Sequence, residues 1–348
     1  MEFAKNISIY IKTTDTCQLN CKHCYTGGSD GRKVFFKPDK VISFLKDLKK
    51  TNPEIEHVIF SFHGGEPMLA PVFEMHHFRQ EAKKIFQSCE FRIQTNLVYE
   101  LTEQKRELLE SLDSVGTSWD ADLRFNSELQ LSLWLNNVQV LTKNCDLTMV
   151  TCLSKETLEG YKPEDILGWA ASIGFKYLLF ERITPTGNAV INKTIVPKNI
   201  DLDRWLLDMY NQSVEQKLYE KIGNMFLSSV MASYVDKRHQ GCRVRSCERN
   251  VITINADGTI GGCPDSAPYK SYGNIMQSAE EVFNSDKRIA NIACEMCRDE
   301  RCYTCPVFDV CNGDCYQLKW DENCPAPKSL MKKMKEDNDI ETYKKFII

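Results

Sequence analysis

Three cysteines within eight residues, Cys17, Cys21 and Cys24, stand in a C-x₃-C-x₂-C spacing. They follow directly on Ile7 to Thr14, an alternating, β-branched stretch that predicts a strand. Three thiolates on one short loop can hold three irons of a 4Fe–4S cube, leaving the fourth iron without a protein ligand nearby. A zinc site would want a fourth protein ligand, usually from a second C-x₂-C or a His pair. The chain has sixteen cysteines in 348 residues, an excess that means either a disulfide framework or metal ligation. The N-terminus has no basic-then-apolar signal pattern, and no run approaches the ~20 apolar residues of a membrane span. The expectation is a cytoplasmic chain with reduced thiols and no membrane partner, which favours metal ligation. A net charge of −4 gives no electrostatic case for a nucleic-acid partner.

Strand and helix signals alternate through the first two hundred residues. Strands are predicted at 7–14, 57–62, 91–97, 114–120, 147–153 and 176–183, and helices at 38–50, 72–87, 102–112, 128–142 and 163–172. Six strand–helix units in sequence mean a parallel sheet with helices outside, whose sites collect at the C-terminal strand ends. The cysteine loop, His63-Gly64-Gly65-Glu66-Pro67, Thr95-Asn96 and Ser118 all fall there. Two glycines would let a backbone come close to a ligand, and Glu66 adds a carboxylate. Residues 200–236 read as two amphipathic helices bridging to a second domain.

The cysteine loop and the Gly-Gly-Glu turn after the second strand together resemble the radical S-adenosylmethionine (radical SAM) superfamily. The resemblance implies a partial (β/α)₆, TIM-like barrel at 1–199, with SAM on the open iron of the cluster held by Cys17, Cys21 and Cys24. It implies that Gly64, Gly65 and Glu66 hold the SAM ammonium, and that Thr95, Asn96 and Ser118 belong to the same cofactor-binding mouth. Ser118 and Arg124 would meet the ribose hydroxyls and the SAM carboxylate. The interval between Ser118 and Arg124 is shorter than the family's usual one, and a solvated surface arginine is the other reading of Arg124. His23 occupies the slot that often carries an aromatic touching the adenine; its plain reading is a loop residue. His63 faces the same mouth.

The last hundred residues carry Cys242, Cys247, Cys263, Cys294, Cys297, Cys302, Cys305, Cys311, Cys315 and Cys324. Val251 to Ile260 predicts a hairpin with an Asp-Gly turn. The pattern resembles the SPASM domain that follows many radical SAM barrels, a small cysteine-rich domain at 239–348 with a β-hairpin and a C-terminal helix, reached through a helical bridge at 200–238. The resemblance implies two auxiliary 4Fe–4S clusters, one on Cys242, Cys247, Cys263 and Cys315, the other on Cys302, Cys305, Cys311 and Cys324. With the SAM cluster that makes three, or roughly twelve irons per chain. Cys294 and Cys297 fall outside both sets. Cys89, Cys145 and Cys152 read as buried thiols behaving as small apolar residues.

The chemistry so implied is reductive cleavage of SAM to a 5′-deoxyadenosyl radical that takes hydrogen from an unactivated carbon. The expected protein is an oxidoreductase acting on a peptide and leaving a crosslinked or oxidised side chain, with a flavodoxin- or ferredoxin-type reductant as partner. Sulfatase-maturing relatives carry an Asp directly after the third cysteine of the first auxiliary set; here that position is Pro264, and Asp265 follows as a candidate general base or a turn residue. Other readings are a small-molecule dehydrogenase of sugars or aminoglycosides, a sulfatase-type maturase, and a non-catalytic electron-transfer protein.

Overall fold

The computed structural model describes residues 3–266 and 270–348. β1 (Asn6–Thr14) buries Ile7, Ile9 and Ile11 on one face and turns Tyr10 and Lys12 to the other, as its two-residue period dictates. α1 (Pro38–Thr51) starts on a proline, whose missing N–H costs nothing in the first turn, and buries Val41, Phe44, Leu45 and Leu48. β2 (His57–Gly64), α2 (Val72–Ile85), β3 (Ser88–Gln94), α3 (Glu103–Glu110) and β4 (Ser114–Ser118) follow. Then come α4 (Ala121–Arg124), α5 (Glu128–Leu141), β5 (Leu147–Leu153), α6 (Lys155–Gly160), α7 (Pro163–Ser172) and β6 (Tyr177–Arg182). β1 to β6 pair in parallel in sequence order. Phe60 of β2 joins strand to helix layer, with its ring 5.3 Å from Phe91 and 5.4 Å from Phe78; burying such a ring is worth about 1.5–3 kcal/mol.

The six predicted strands and five predicted helices are present. Thr95 and Asn96, expected at the end of the third strand, lie just beyond it. The short α4 and α6 were not predicted; six residues or fewer leave too little periodicity to read.

Beyond the barrel come α8 (Asn199–Glu215), β7 (Gly223–Asn224) and α9 (Met225–Val235), then α10 (Cys247–Asn250) and the hairpin β8 (Val251–Ile254) and β9 (Thr259–Gly261). β10 (Gly273–Asn274), α11 (Ala279–Phe283), α12 (Asp286–Met296), α13 (Phe308–Cys311), α14 (Lys328–Asp337) and α15 (Ile340–Lys344) complete the order. β8 pairs in parallel with β1, from Ser8↔Val251 to Ile11↔Ile254, and β7 pairs with β6. Among the described residues the sheet therefore has ten strands, and the cysteine-rich region extends it rather than standing apart. No helix among the described residues is long and apolar enough to cross a membrane.

Candidate active site

The C-terminal strand ends open into a cavity of about 310 Å³. Cys17, Cys21 and Cys24 line it together with His23, Gly64, Gly65, Thr95, Asn96, Ser118 and Arg124. The cysteine loop is held from two sides. Gln18 Nε2 donates to Asn96 Oδ1 and to Val98 O, both at 3.0 Å. On the other side, Asn188 Nδ2 donates to Asn20 Oδ1 (2.9 Å) and Cys21 O (3.0 Å), and its backbone N–H to Cys24 O (2.8 Å). Cys17 Sγ accepts from Leu19 N–H at 3.3 Å and from Asn96 Nδ2 at 3.4 Å. All three thiols are free, and burial raises those of Cys17 and Cys21. A metal bound here would displace their protons.

The two glycines of the turn are required by the chain itself. A Cβ on Gly64, at φ +129°, would stand 2.2 Å from Thr14 O, and one on Gly65 would stand 1.9 Å from Thr16 O. Gly65 N–H and Glu66 N–H donate to those same carbonyls at 2.7 and 2.9 Å. The close approach read as room for a ligand is thus first an approach to the cysteine loop. Glu66 does not line the cavity. Its carboxylate is fully buried and accepts from Thr95 Oγ1 (2.6 Å), Asn96 N–H (2.7 Å) and Met68 N–H (2.9 Å). Burial pushes it up to about 7 against those donors.

Arg124 is not a surface arginine. Its Nη2 and Nε both lie 2.6 Å from Asp120 Oδ2, while Asp120 Oδ1 accepts Cys152 N–H at 2.6 Å. Burial works to raise Asp120, but Arg124 and His23 hold it below its ordinary value. His23 Nε2 is 3.4 Å from Asp120, and its buried Nδ1 has no hydrogen-bond partner among the described residues. Cys152 lines the cavity instead of acting purely as core filling. Deeper in the barrel, Tyr25 Oη donates to His63 Nδ1 at 2.8 Å, and burial beside Lys12 pushes His63 down to about 3, so it is neutral. Asp265 faces Lys12, Tyr10, Tyr25 and Glu181, and burial raises it. Glu181 lines the cavity and is open to solvent there, facing Asp265.

In the cysteine-rich region, the Cys242 thiol is hydrogen-bonded to Cys315, which this contact lowers to about 7. Cys263 faces Cys247 and Cys315, so the first predicted set converges. Cys302, Cys305, Cys311 and Cys324 line a single cavity of about 230 Å³, so the second set converges as well. Cys294 and Cys297 are exposed at the end of α12, outside both. Three buried arginines, Arg182, Arg243 and Arg245, lie among these thiols together with the buried carboxylates Asp314, Glu248 and Glu295, and Glu295 Oε1 accepts the Cys247 N–H. The convergence of four thiols in each set is a donor set that fits thiolate-bound clusters. The barrel cavity passes the same comparison: three free thiols converge beside glycine backbone and polar side chains, a donor set suited to iron–sulfur and to a zwitterionic ligand.

Sequence reasoning missed Asn188, Glu181 and the arginines. Asn188 stands in a Pro-Thr-Gly-Asn turn after the sixth strand, a signal that marks a loop but not what the loop holds. The arginines left a signal in Cys242-Arg243-Val244-Arg245-Ser246-Cys247, two cations between two thiols.

Residues 11–125 match the family model of the radical SAM superfamily. The chain is 22% identical over 341 aligned positions to the radical SAM cyclopropyl synthase TigE of Paramaledivibacter caminithermalis, covering 88% of this chain and 67% of that protein. Its fold is similar to native anSMEcpe with bound AdoMet and the Cp18Cys peptide, at a TM-score of 0.78, 18% identity and 97% coverage of each chain. It is also similar to Streptococcus suis SuiB bound to the precursor peptide SuiA, at a TM-score of 0.63, 15% identity, and coverage of 92% of this chain and 76% of SuiB. With its three-cysteine loop at the mouth of a parallel α/β barrel, the chain carries a radical SAM domain.

Proposed function

We propose that this chain uses SAM to make a radical that abstracts hydrogen from a peptide substrate, leaving a crosslinked or oxidised side chain. The observation that carries the reading is the convergence of Cys17, Cys21 and Cys24 on one cavity with Gly64, Gly65, Thr95, Asn96, Ser118 and Arg124. Those three thiols would hold a 4Fe–4S cluster, and the polar wall beside them would hold SAM. When bound, the pair supplies reductive cleavage of the SAM sulfonium to a carbon-centred radical. The chain's own residues orient and enclose. Gly64 and Gly65 seat the turn on the cysteine loop, Glu66 braces it from behind, and Arg124 is fixed by Asp120 at the rim. Asp265 and Glu181 stand inside the barrel as carboxyl groups able to hold or take up a substrate proton. The two C-terminal sets would hold two further 4Fe–4S clusters, with Cys242, Cys247, Cys263 and Cys315 in one and Cys302, Cys305, Cys311 and Cys324 in the other. A flavodoxin- or ferredoxin-type protein would deliver the electron.

The peptide assignment draws support from anSMEcpe and SuiB, each of which was solved with a peptide bound. The test is anaerobic incubation of the reconstituted protein with SAM, dithionite and the short peptide encoded nearest its gene, read by mass spectrometry. Formation of 5′-deoxyadenosine with loss of two hydrogens from the peptide is expected. 5′-Deoxyadenosine with an unchanged peptide would overturn the substrate class and leave the radical chemistry standing.

A further inference from the structure

A second cleft, of about 420 Å³, lies on the other side of β5 and β6 from the barrel cavity. Leu153 and Arg182 line it, while their chain neighbours Cys152 and Glu181 line the barrel cavity, so the two hollows share one pair of strand ends. The remaining walls come from the loop of residues 183–198, the start of α8, and residues 318–325 of the cysteine-rich region. The lining is mostly apolar: Leu153, Ile183, Ala189 and Leu202 are buried there, and Val190 and Leu318 join them. The loop also leaves Ile191, beside Val190, 80% exposed.

Two cations stand in this lining without a counter-charge. Lys193 and Lys319 are exposed and form no ion pair among the described residues, whereas Arg182 is taken up by Asp314. No acidic residue lines the cleft. The acids on the flanking elements are already engaged. Asp321 accepts Asn199 N–H at 2.9 Å and Asn323 N–H at 2.6 Å, Asp203 accepts Ser329 N–H at 2.9 Å and Ser329 Oγ at 2.6 Å, and Asp201 lies 3.7 Å from Arg204.

The walls are fixed. Besides the bonds of Asn188, Asn192 Nδ2 donates to Lys22 O at 3.1 Å, and a Cβ on Gly187, at φ +54°, would stand 2.2 Å from Cys24 O. One side of the loop is thus seated on the cysteine loop while the other lines the cleft. Asn199 Nδ2 donates to Lys319 O at 3.1 Å and Asn323 O at 2.9 Å, tying α8 to the opposite wall. A preformed wall spares a ligand the cost of ordering it.

A mostly apolar cleft with a few polar groups is the general form of a ligand site. Two unpaired lysines at such a cleft select a chain that carries carboxylates beside apolar side chains. We propose that it docks a segment of the substrate peptide, apolar with flanking Asp or Glu, that lies outside the part reacting in the barrel. The segment holds the peptide at β5 and β6 while the residue to be modified reaches over the same strand ends into the cavity. Lys193 and Lys319 act on specificity and touch no reacting atom. The inference rests on the peptide reading above.

The test uses the short peptide encoded nearest the gene, labelled with fluorescein, and reads its binding to the reconstituted full chain by anaerobic fluorescence anisotropy. Lys193→Glu with Lys319→Glu should raise the dissociation constant about tenfold, two rim attractions having become repulsions. Replacing the peptide's acids by lysine should restore binding to this double variant and weaken binding to wild type. Hydrogen exchange of the wild-type chain should show new protection in 185–199 and 318–325 when the peptide is added, a readout that stands even if the variants fail to fold. A peptide that is modified but binds both forms equally, or protects neither segment, would overturn the docking cleft and leave the proposed function standing. A peptide with no apolar run flanked by acids would do the same before any variant is made. A peptide that binds with the expected charge dependence and protection but is never modified would support the cleft and overturn the substrate assignment. One that fails to bind wild type would overturn both.

Discussion

Glu66 Oε2 accepts the backbone N–H of Asn96 at 2.7 Å, tying the turn after β2 to the first residues beyond β3. With Thr95 Oγ1 on its other oxygen, one carboxylate fixes two walls of the cavity. The substitution Glu66→Gln turns one acceptor into a donor facing a donor, at a cost of about 1–3 kcal/mol. The cost should depend on pH. The folded-state value, about 7, lies above the ordinary 4.5, so between those values the folded chain binds the extra proton and its stability falls as pH rises. The amide in the variant cannot titrate, so the penalty of Glu66→Gln should be largest near pH 5 and shrink toward pH 8. Denaturant unfolding at both pH values checks this; a penalty that grows with pH would show that the carboxylate is stabilised in its ionised form.

Gly65→Ala and Gly168→Ala should move in opposite directions. At Gly65 the new methyl meets Thr16 O at 1.9 Å, and backbone must shift on the cysteine loop itself. Iron at the Cys17, Cys21 and Cys24 site should fall sharply, read as iron per chain in a variant lacking the auxiliary cysteines. Gly168 lies inside α7 with nothing within 4 Å of an added Cβ. Alanine there should raise stability by about 0.5–1 kcal/mol through helix propensity and leave iron unchanged.

The barrel was legible because its strands and helices are long enough for their periods to show, as at Val41, Phe44, Leu45 and Leu48, all of which are buried. The meeting of the cysteine loop with Gly64, Gly65, Thr95, Asn96 and Ser118 followed from the rule that sites collect at the C-terminal strand ends. What local patterns could not carry was partner choice. Nothing in Val251 to Ile254 marks it as a parallel neighbour of β1, some 240 residues away. The Gly-Gly pair announced a close approach, but not that the approaching atoms are Thr14 O and Thr16 O. Asp120 and Arg124, by contrast, are spaced as an i,i+4 pair, so that contact was open to reading and went unread.

Asn188→Ala should weaken SAM binding more than it weakens the fold. The side chain holds Asn20 Oδ1 and Cys21 O, and the backbone N–H on Cys24 O survives the substitution. Two side-chain hydrogen bonds at a partly exposed site are worth about 1–3 kcal/mol together. The loop carrying the three thiols should loosen, seen as a several-fold rise in the SAM dissociation constant of the reconstituted protein, with only a small fall in its unfolding midpoint. A dissociation constant equal to wild type would mean that Gln18 and the backbone contact on Cys24 O suffice to hold the loop.

Iron removal should unfold the cysteine-rich region unevenly. Its stapling by two interleaved cysteine sets leads to the expectation that cluster loss releases the whole of it. The ladder argues for a boundary. β8 is hydrogen-bonded to β1 and to β9, and Ile252, Ile254 and Ile260 are buried in the barrel's own core, so the hairpin has a source of stability independent of iron. Residues 297–324 have no strand, only short helical turns and eight or fewer residues between successive thiols. Anaerobic chelation followed by hydrogen exchange should therefore expose the backbone of 297–324 while amides of 252–254 stay protected with those of β1. Loss of protection in β8 together with 297–324 would mean that the clusters, and not the shared sheet, hold the hairpin in place.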